Sequence, residues 1–225
     1  NGVVVGMDGF SDYESLVQVD NNVINVEGDN NATEFDSSGS TDGDIEITDN
    51  TIDGNGDSVT AIALGPSNVL DGQNVTVSGT NTVSNVERVV DASDNTVQDL
   101  QISGVEADTF DGPGINLGEV TDYNVTSSEF VNASATAIVV NTGATDQANL
   151  EGITIENAGL GGSPSGTGIS VEHGDGSTDL VIDNADINAT DVGVDIVDTG
   201  NGDTTTLQNS VIAHSNNATD LPNLN

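Results

Sequence analysis

Short alternations of apolar and polar residues, each closed by Asn, Asp, Gly or Ser, recur along the chain at a near-constant interval. Ile155-Glu156-Asn157 leads to Leu160, Ile182-Asp183-Asn184 to Ile187, and Leu207-Gln208-Asn209 to Ile212. Earlier copies are Ile47-Thr48-Asp49 with Ile52, Val77-Ser78-Gly79 with Val83, Ile102-Ser103-Gly104, and Val125-Thr126-Ser127 with Phe130. The closing positions, Asp49, Gly79, Gly104, Ser127, Asn157, Asn184 and Asn209, are separated by 30, 25, 23, 30, 27 and 25 residues. Gly and Asn enter left-handed backbone most readily, so one column of them predicts the same sharp bend made once per period.

A second column interleaves with the first. Ala61-Ile62-Ala63-Leu64, Gly114-Ile115-Asn116-Leu117, Ala137-Ile138-Val139-Val140, Gly168-Ile169-Ser170-Val171 and Gly193-Val194-Asp195-Ile196 alternate with period two, as short half-buried strands do. A third strand position falls at Val69-Leu70, Val97, Leu150 and Leu180. Three short strands per period predict a solenoid whose coils bury their apolar sides on one another. With these columns the chain resembles the right-handed parallel β-helix proteins, the fold of pectate lyases and polygalacturonases, over about residues 23 to 215. The resemblance implies an all-β rod of about seven or eight coils. It also implies that Asn157, Asn184 and Asn209 stack as a ladder of side-chain amides. A β-sandwich of many short strands does not require such a column. Ser11-Asp12-Tyr13-Glu14 has the form of a capping box, which predicts a short helix running into Ser15-Leu16-Val17 over the first coil. The chain then divides into an N-terminal contact strand and cap (1–22), the solenoid (23–215) and a tail (216–225).

Charge adds the solvent to this picture. Thirty-eight residues are Asp or Glu and one is Lys or Arg, so the formal net charge is −37 over 225 residues. High charge with low hydropathy marks many disordered chains. Here Val, Ile, Leu and Phe supply 58 residues, about a quarter of the chain and above the roughly one-fifth at which a core fails. Aromatic residues are only 3%, so an aliphatic, β-branched core is expected. The charge opposes compaction in dilute buffer. At about 1 M salt the screening length is roughly 3 Å, and the composition reads as adapted to brine. The same charge excludes nucleic acid and anionic membrane surfaces as partners, since counterion release requires Lys and Arg. No apolar run approaches the ~20 residues of a membrane span. The absence of cysteine excludes disulfides and thiolate metal sites. A start at Asn1 fits removal of an upstream secretion signal.

The resemblance is to enzymes of acidic polysaccharides, and it implies an Arg or Lys base with carboxylate-bound calcium in the lyases. In the polygalacturonases it implies paired Asp residues with Gly-His-Gly and Arg-x-Lys steps. This chain has no Lys, Glu172-His173-Gly174 departs from Gly-His-Gly at its first residue, and the other histidine is His214. Arg88 would need a greatly lowered pKa to act as a base, and carboxylates push the other way. No catalytic residue is therefore assigned and an enzyme is not expected, although two carboxylates at a suitable separation suffice for glycoside hydrolysis. Aligning Glu87-Arg88-Val89-Val90 with Ala137-Ile138-Val139-Val140 puts Arg88 in an inward slot; a local shift leaves it outside among acids such as Glu87 or Glu106.

Asp53-Gly54-Asn55-Gly56-Asp57 alternates oxygen ligands as calcium loops do. Asp53, Asn55 and Asp57 are thus candidate ligands, with Ca2+ or another cation as the candidate cofactor. Asp42-Gly43-Asp44, Asp175 to Asp179 and Asp198 to Asp203 are weaker versions, and Asp and Gly are also default turn formers. Sequons at Asn31, Asn74, Asn124, Asn132, Asn188 and Asn217 predict N-linked glycans. Val3-Val4-Val5 is a candidate strand for self-association through open sheet edges; docking back onto its own rod is equally simple. Together these features predict a structural extracellular surface protein of a halophilic archaeon or its virus. It would be a filament, stalk or envelope subunit, glycosylated and self-assembling. The alternatives are a glycan-binding or host-recognition spike module, and a polysaccharide lyase or hydrolase.

Overall fold

A computed structural model of the chain describes residues 2–6, 15–27, 30–36, 43–55, 58–64, 73–93, 97–118, 120–141, 147–159, 166–173, 179–189, 191–198, 204–214 and 217–220. These residues form three parallel sheets of nine, eight and eight strands, which we call A, B and C. Sheet A runs from Val3–Gly6 to Asn217–Asp220, sheet B from Ser15–Asp20 to Thr205–Gln208, and sheet C from Val23–Asn25 to Val211–His214. The chain visits B, C and A in turn, and each strand pairs with its counterpart one coil away. This is the all-β parallel solenoid that the repeat predicts, and the described residues contain no helix.

Register explains why the repeat folds this way. Through the six coils between residues 43 and 198, sheet B aligns Ile47, Val77, Ile102, Val125, Leu150 and Ile182. Sheet A aligns Ile62, Val90, Ile115, Ile138, Ile169 and Val194. Sheet C aligns Ile52, Val83, Ala107, Phe130, Ile155 and Ile187. All of these side chains are buried, each of the larger ones contributing roughly 1.5–3 kcal/mol of transfer free energy. Phe110 and Phe130 meet edge to face with ring centroids 6.3 Å apart, the geometry that the aromatic quadrupole favours. A one-residue slip in any strand would turn its apolar set outward, so the columns lock one another's register.

The corner between sheets B and C is one left-handed residue in every coil. Asn21, Asp49, Gly79, Gly104, Ser127, Gly152, Asn184 and Asn209 all have φ between 50° and 73°. Six of the seven corner positions expected from sequence are in this column, and the seventh is corrected. Gly152, not Asn157, makes that corner; Asn157 bends the sheet C strand Thr154–Ala158, at the place equivalent to Asn85, Thr109 and Asn132, with φ of 53° to 61°. Asn157 therefore does not stack with Asn184 and Asn209. The third strand position was also misaligned: Leu150 pairs with Ile182, and Leu180 with Ala148. Val69-Leu70 and Leu160 lie outside the described residues.

The start of the chain differs from expectation for a simple reason. Ser15-Leu16-Val17 is strand, not helix, because Val17 and Val19 alternate with Leu16, Gln18 and Asp20 and align with Ile45 and Ile47. The capping-box residues Ser11 to Glu14 lie outside the described residues. Val3–Gly6 lies along Asn31–Asp36 of its own chain, with Val3 opposite Thr33, Val4 opposite Glu34 and Val5 opposite Phe35. Asn217–Asp220 lies along Val192–Asp198. Pairing thus continues on both sides of residues 23–215.

Candidate functional site

Sequence after each left-handed corner decides what lies just inside it. In the first coils that residue is Asn, and Asn22, Asn50 and Asn81 form an amide ladder up the interior edge. Asn50 Oδ1 accepts from Asn22 N–H at 3.0 Å and Asn22 Nδ2 at 3.1 Å, while Asn81 Oδ1 accepts from Asn50 N–H at 3.0 Å. Asn50 Nδ2 donates to Val19 O at 2.8 Å and Thr48 O at 2.9 Å. In later coils Ser128 and Ser210 do a smaller version, each hydroxyl accepting from the backbone of the coil below and donating two residues back. The signal for this ladder was present in the sequence as Asn22, Asn50 and Asn81, one or two places beyond the bend. A shorter amide ladder crosses the outer face of sheet B, where Asn149 donates to Asn124 at 2.8 Å and Asn124 to Gln101 at 3.2 Å.

Arg88 begins the strand Arg88–Ala92 of sheet A opposite Thr60, two places before the inward Val90. Val89 and Val90 are both buried, so the two-residue alternation breaks between them and the guanidinium lies at the surface, held by Glu87 at 3.3 Å and Asp91 at 3.1 Å, with 36% of its side chain exposed. Glu106 projects from sheet C and is not among these partners. Asp91 is the pivot that sequence did not single out: its Oδ1 also accepts from Ser93 N–H, Ser93 Oγ and Asn116 Nδ2 at 3.2, 2.7 and 3.3 Å. Arg88 Nε is buried without a hydrogen-bond partner. Clamped by two carboxylates, the guanidinium serves as a local staple. Half-exposed pairs of this kind contribute about 0–1 kcal/mol each. Arg88→Ala is expected to lower the melting temperature by about 2 to 5 °C and leave the β-sheet circular dichroism unchanged; a melt in molar salt checks this, and complete unfolding would show a larger role.

Asp53 and Asn55 come together across three coils. Asp53 Oδ1 accepts from Asn55 N–H at 3.0 Å and from Asn85 Nδ2 at 3.1 Å, and Asn55 Nδ2 donates to Val26 O at 3.2 Å. The Asn55 N–H and then the Asn85 amide hold the Asp53 carboxyl below the usual carboxylate range. In this geometry the alternating Asp and Asn close an Asx turn and tie coils together. Asp57 lies outside the described residues, as do Asp42, Asp175 and Asp203. Among the described residues no three His, Cys, Asp or Glu side chains gather in a metal-holding group.

The sequons are not equivalent. Asn188 and Asn74 are exposed, although Asn74 Nδ2 donates to Asp44 at 3.0 Å. Asn31 is half-buried and donates to Glu34 at 3.0 Å, and the hydroxyl of its sequon Thr33 is buried, donating to Ala61 O at 2.7 Å. Asn124 is spent in the sheet B ladder, and Asn132 donates to Asp108 at 2.8 Å while accepting from Asn157 at 3.2 Å. Asn217 lies in the last strand of sheet A. His173 and His214 fall in sheets A and C respectively, on different sides of the solenoid. Tyr123 is buried inside sheet B with its hydroxyl unpartnered, and burial pushes its phenol well above the ordinary range. No protein-family model matches the chain, and neither a curated protein nor a solved structure matches it.

Proposed function

We propose that the chain is a structural rod of an extracellular surface bathed in concentrated salt: a filament, stalk or envelope subunit, glycosylated and self-associating. The observation that carries this reading is the division of charge across the solenoid wall. Inside are aliphatic columns with a few hydrogen-bonded Thr, Ser and Asn; the described Asp and Glu side chains all lie outside the buried set. A wall of this kind needs counterions and water rather than a cationic partner. Some of its outward amides and carboxylates bond from coil to coil, as Asn74 does with Asp44, Asn132 with Asp108 and Asn209 with Asp183, which stiffens the rod. The sole fixed cation is neutralised in place by Glu87 and Asp91. A halophilic archaeon or its virus is the source that fits this charge, and Asn188 and Asn74 are the sequons most open to a glycan.

The reading is tested by electron microscopy of the protein in molar potassium chloride. Ordered fibres or arrays are the expected result. Dispersed particles that bind or degrade cell-surface glycans would replace it with the spike or enzyme reading.

A further inference from the structure

Carboxylates are not spread evenly over the three sheets. Sheet C carries Glu106, Glu129 and Asp186 in one outward column and Asp53, Asp108 and Glu156 in the other. The middle of sheet B differs: one outward column runs without charge from Thr76 to Val181 over five coils, and its neighbour from Thr48 to Thr126 over four. Acids return at the borders of this face, with Glu46 before it, Glu151 after it, and Asp99 and Asp122 alongside. The corner next to it is small as well. Gly79, Gly104, Ser127 and Gly152 make that corner, where the coils on either side use Asp49 and Asn184.

We propose that this uncharged face of sheet B is a contact surface, and that its occupant is a second copy of this chain, packed face to face about a two-fold axis. This names the surface used by the self-association in the proposed function and rests on that reading. Charge selects the occupant. In a chain of net charge −37, two copies meeting through sheet C would set carboxylates against carboxylates, whereas through sheet B each offers the other hydroxyls, amides and Val181. A two-fold contact uses the same patch on both copies, so the patch must not repel itself, and this one does not. A cationic partner would be drawn instead to the acids of sheet C. Ligand sites for small molecules and sugars are lined largely by apolar and aromatic side chains; no aromatic stands on this face, and Phe35, Phe110, Tyr123 and Phe130 are buried inside the rod.

The face is also ordered before contact. Asn149 donates to Asn124 and Asn124 to Gln101, whose Nε2 donates to Asp99. Each amide spends one N–H in this ladder and keeps the other for a partner, and side chains already fixed lose little rotamer freedom on packing. From strand spacing and rise the two columns cover about 300 Å² per copy, well under the roughly 800 Å² per partner of a standard interface. The pairing is therefore reversible and depends on concentration. Asn74 stands at the border of the face and Asn188 on sheet C, so a glycan on Asn188 leaves the contact free and one on Asn74 crowds it.

Ser103, between Gly104 and the ladder residue Gln101, lies near the middle of the face. Ser103→Asp puts a carboxylate into the contact from each copy, Ser103→Asn keeps it neutral, and Ser84→Asp adds the same charge on sheet C. Sedimentation velocity of unglycosylated protein in molar potassium chloride, over a range of concentrations, measures association, and circular dichroism melts check that each variant folds. Reversible dimers or larger species are expected from the unsubstituted protein, Ser103→Asn and Ser84→Asp, with the dissociation constant of Ser103→Asp raised at least about tenfold. No weakening by Ser103→Asp, or equal weakening by Ser84→Asp, would overturn this face while leaving the rod reading standing; monomers at every concentration and no fibres would remove both. Monomers retained on a neutral polysaccharide matrix, with retention lost in Ser103→Asp, would give the face to a glycan and overturn the second copy as occupant. Should Ser103→Asp fail to fold, Ser103→Cys with a short bismaleimide decides, since packed sheets lie about 10 Å apart and the chain has no cysteine. Cross-linked dimers from Ser103→Cys and none above background from Ser84→Cys are expected, and the reverse would refute the contact.

Discussion

Diluting the protein from molar potassium chloride into about 10 mM salt is expected to unfold it, or to lower its melting temperature by tens of degrees. The cause is visible in the register. Asp99 faces Asp122, Glu151 faces Asp183 and Glu106 faces Glu129 on neighbouring strands, and like charges directly opposite destabilise a sheet. At about 5 Å in water one such pair repels by roughly 0.8 kcal/mol. A screening length of about 3 Å in molar salt removes most of that, and one of about 30 Å in 10 mM salt removes almost none. The dilute case also restores the long-range terms among 38 acids opposed by one Arg. Summed over the chain, the change is of the size of ordinary domain stability, about 5–15 kcal/mol. Circular dichroism against salt concentration measures it. Unchanged melting in dilute buffer would show that the ladders and aliphatic core outweigh the repulsion.

Asn50→Ala is expected to be the most damaging single change to the first coils, by about 3 kcal/mol. The side chain is fully buried, and its removal strips Val19 O and Thr48 O of a donor and the Asn22 N–H of an acceptor. Each buried group left unmatched costs roughly 1–3 kcal/mol, and the lost volume leaves a void beside the corner. For a chain of this length the melting temperature falls by about 2–4 °C per kcal/mol. Stability in a solenoid is a sum of local coil and interface terms, so the damage should be regional. Hydrogen exchange should quicken across residues 15 to 86 and hold steady beyond residue 99. Thr51→Ala, an exposed neighbour, is the control and should change little. Uniform loosening along the whole rod would contradict the local account.

Much of the solenoid was legible because its inward columns are made of residues that rarely serve elsewhere. Ile62, Ile115, Ile138, Ile169 and Val194 are in register in sheet A as their sequence alignment requires. Arg88 shows the limit of that method: the consecutive Val89 and Val90 are both buried, which breaks the alternation that the alignment assumes, and the guanidinium comes to the surface between Glu87 and Asp91. The coil around Leu150 misled the alignment for a different reason. It holds two apolar-x-bend triplets, Leu150-Glu151-Gly152 and Ile155-Glu156-Asn157, both with left-handed residues at their ends. Spacing alone does not say which bend turns the corner. No helix runs into Ser15-Leu16-Val17, because Leu16 to Val19 already satisfies a strand and the neighbouring coil supplies its pairing partner. The internal amide ladder was hidden because Asn is common throughout the chain, and only geometry separates Asn50 from Asn55. The chemistry of the outer wall was least legible, since carboxylates and amides that bridge coils have the same composition as ones that bind a ligand.

Coil length varies without disturbing any of this. Leu100 to Tyr123 is 23 residues and Ala148 to Leu180 is 32, yet both pairs face each other across adjacent strands. The extra residues fall outside the paired columns, whose register is kept. Axial length is therefore set by the number of coils and mass by the size of the corners, two quantities that can evolve separately. A loop inserted at a corner would decorate the rod at a fixed height, whereas duplication of one whole coil would lengthen it by about 4.8 Å.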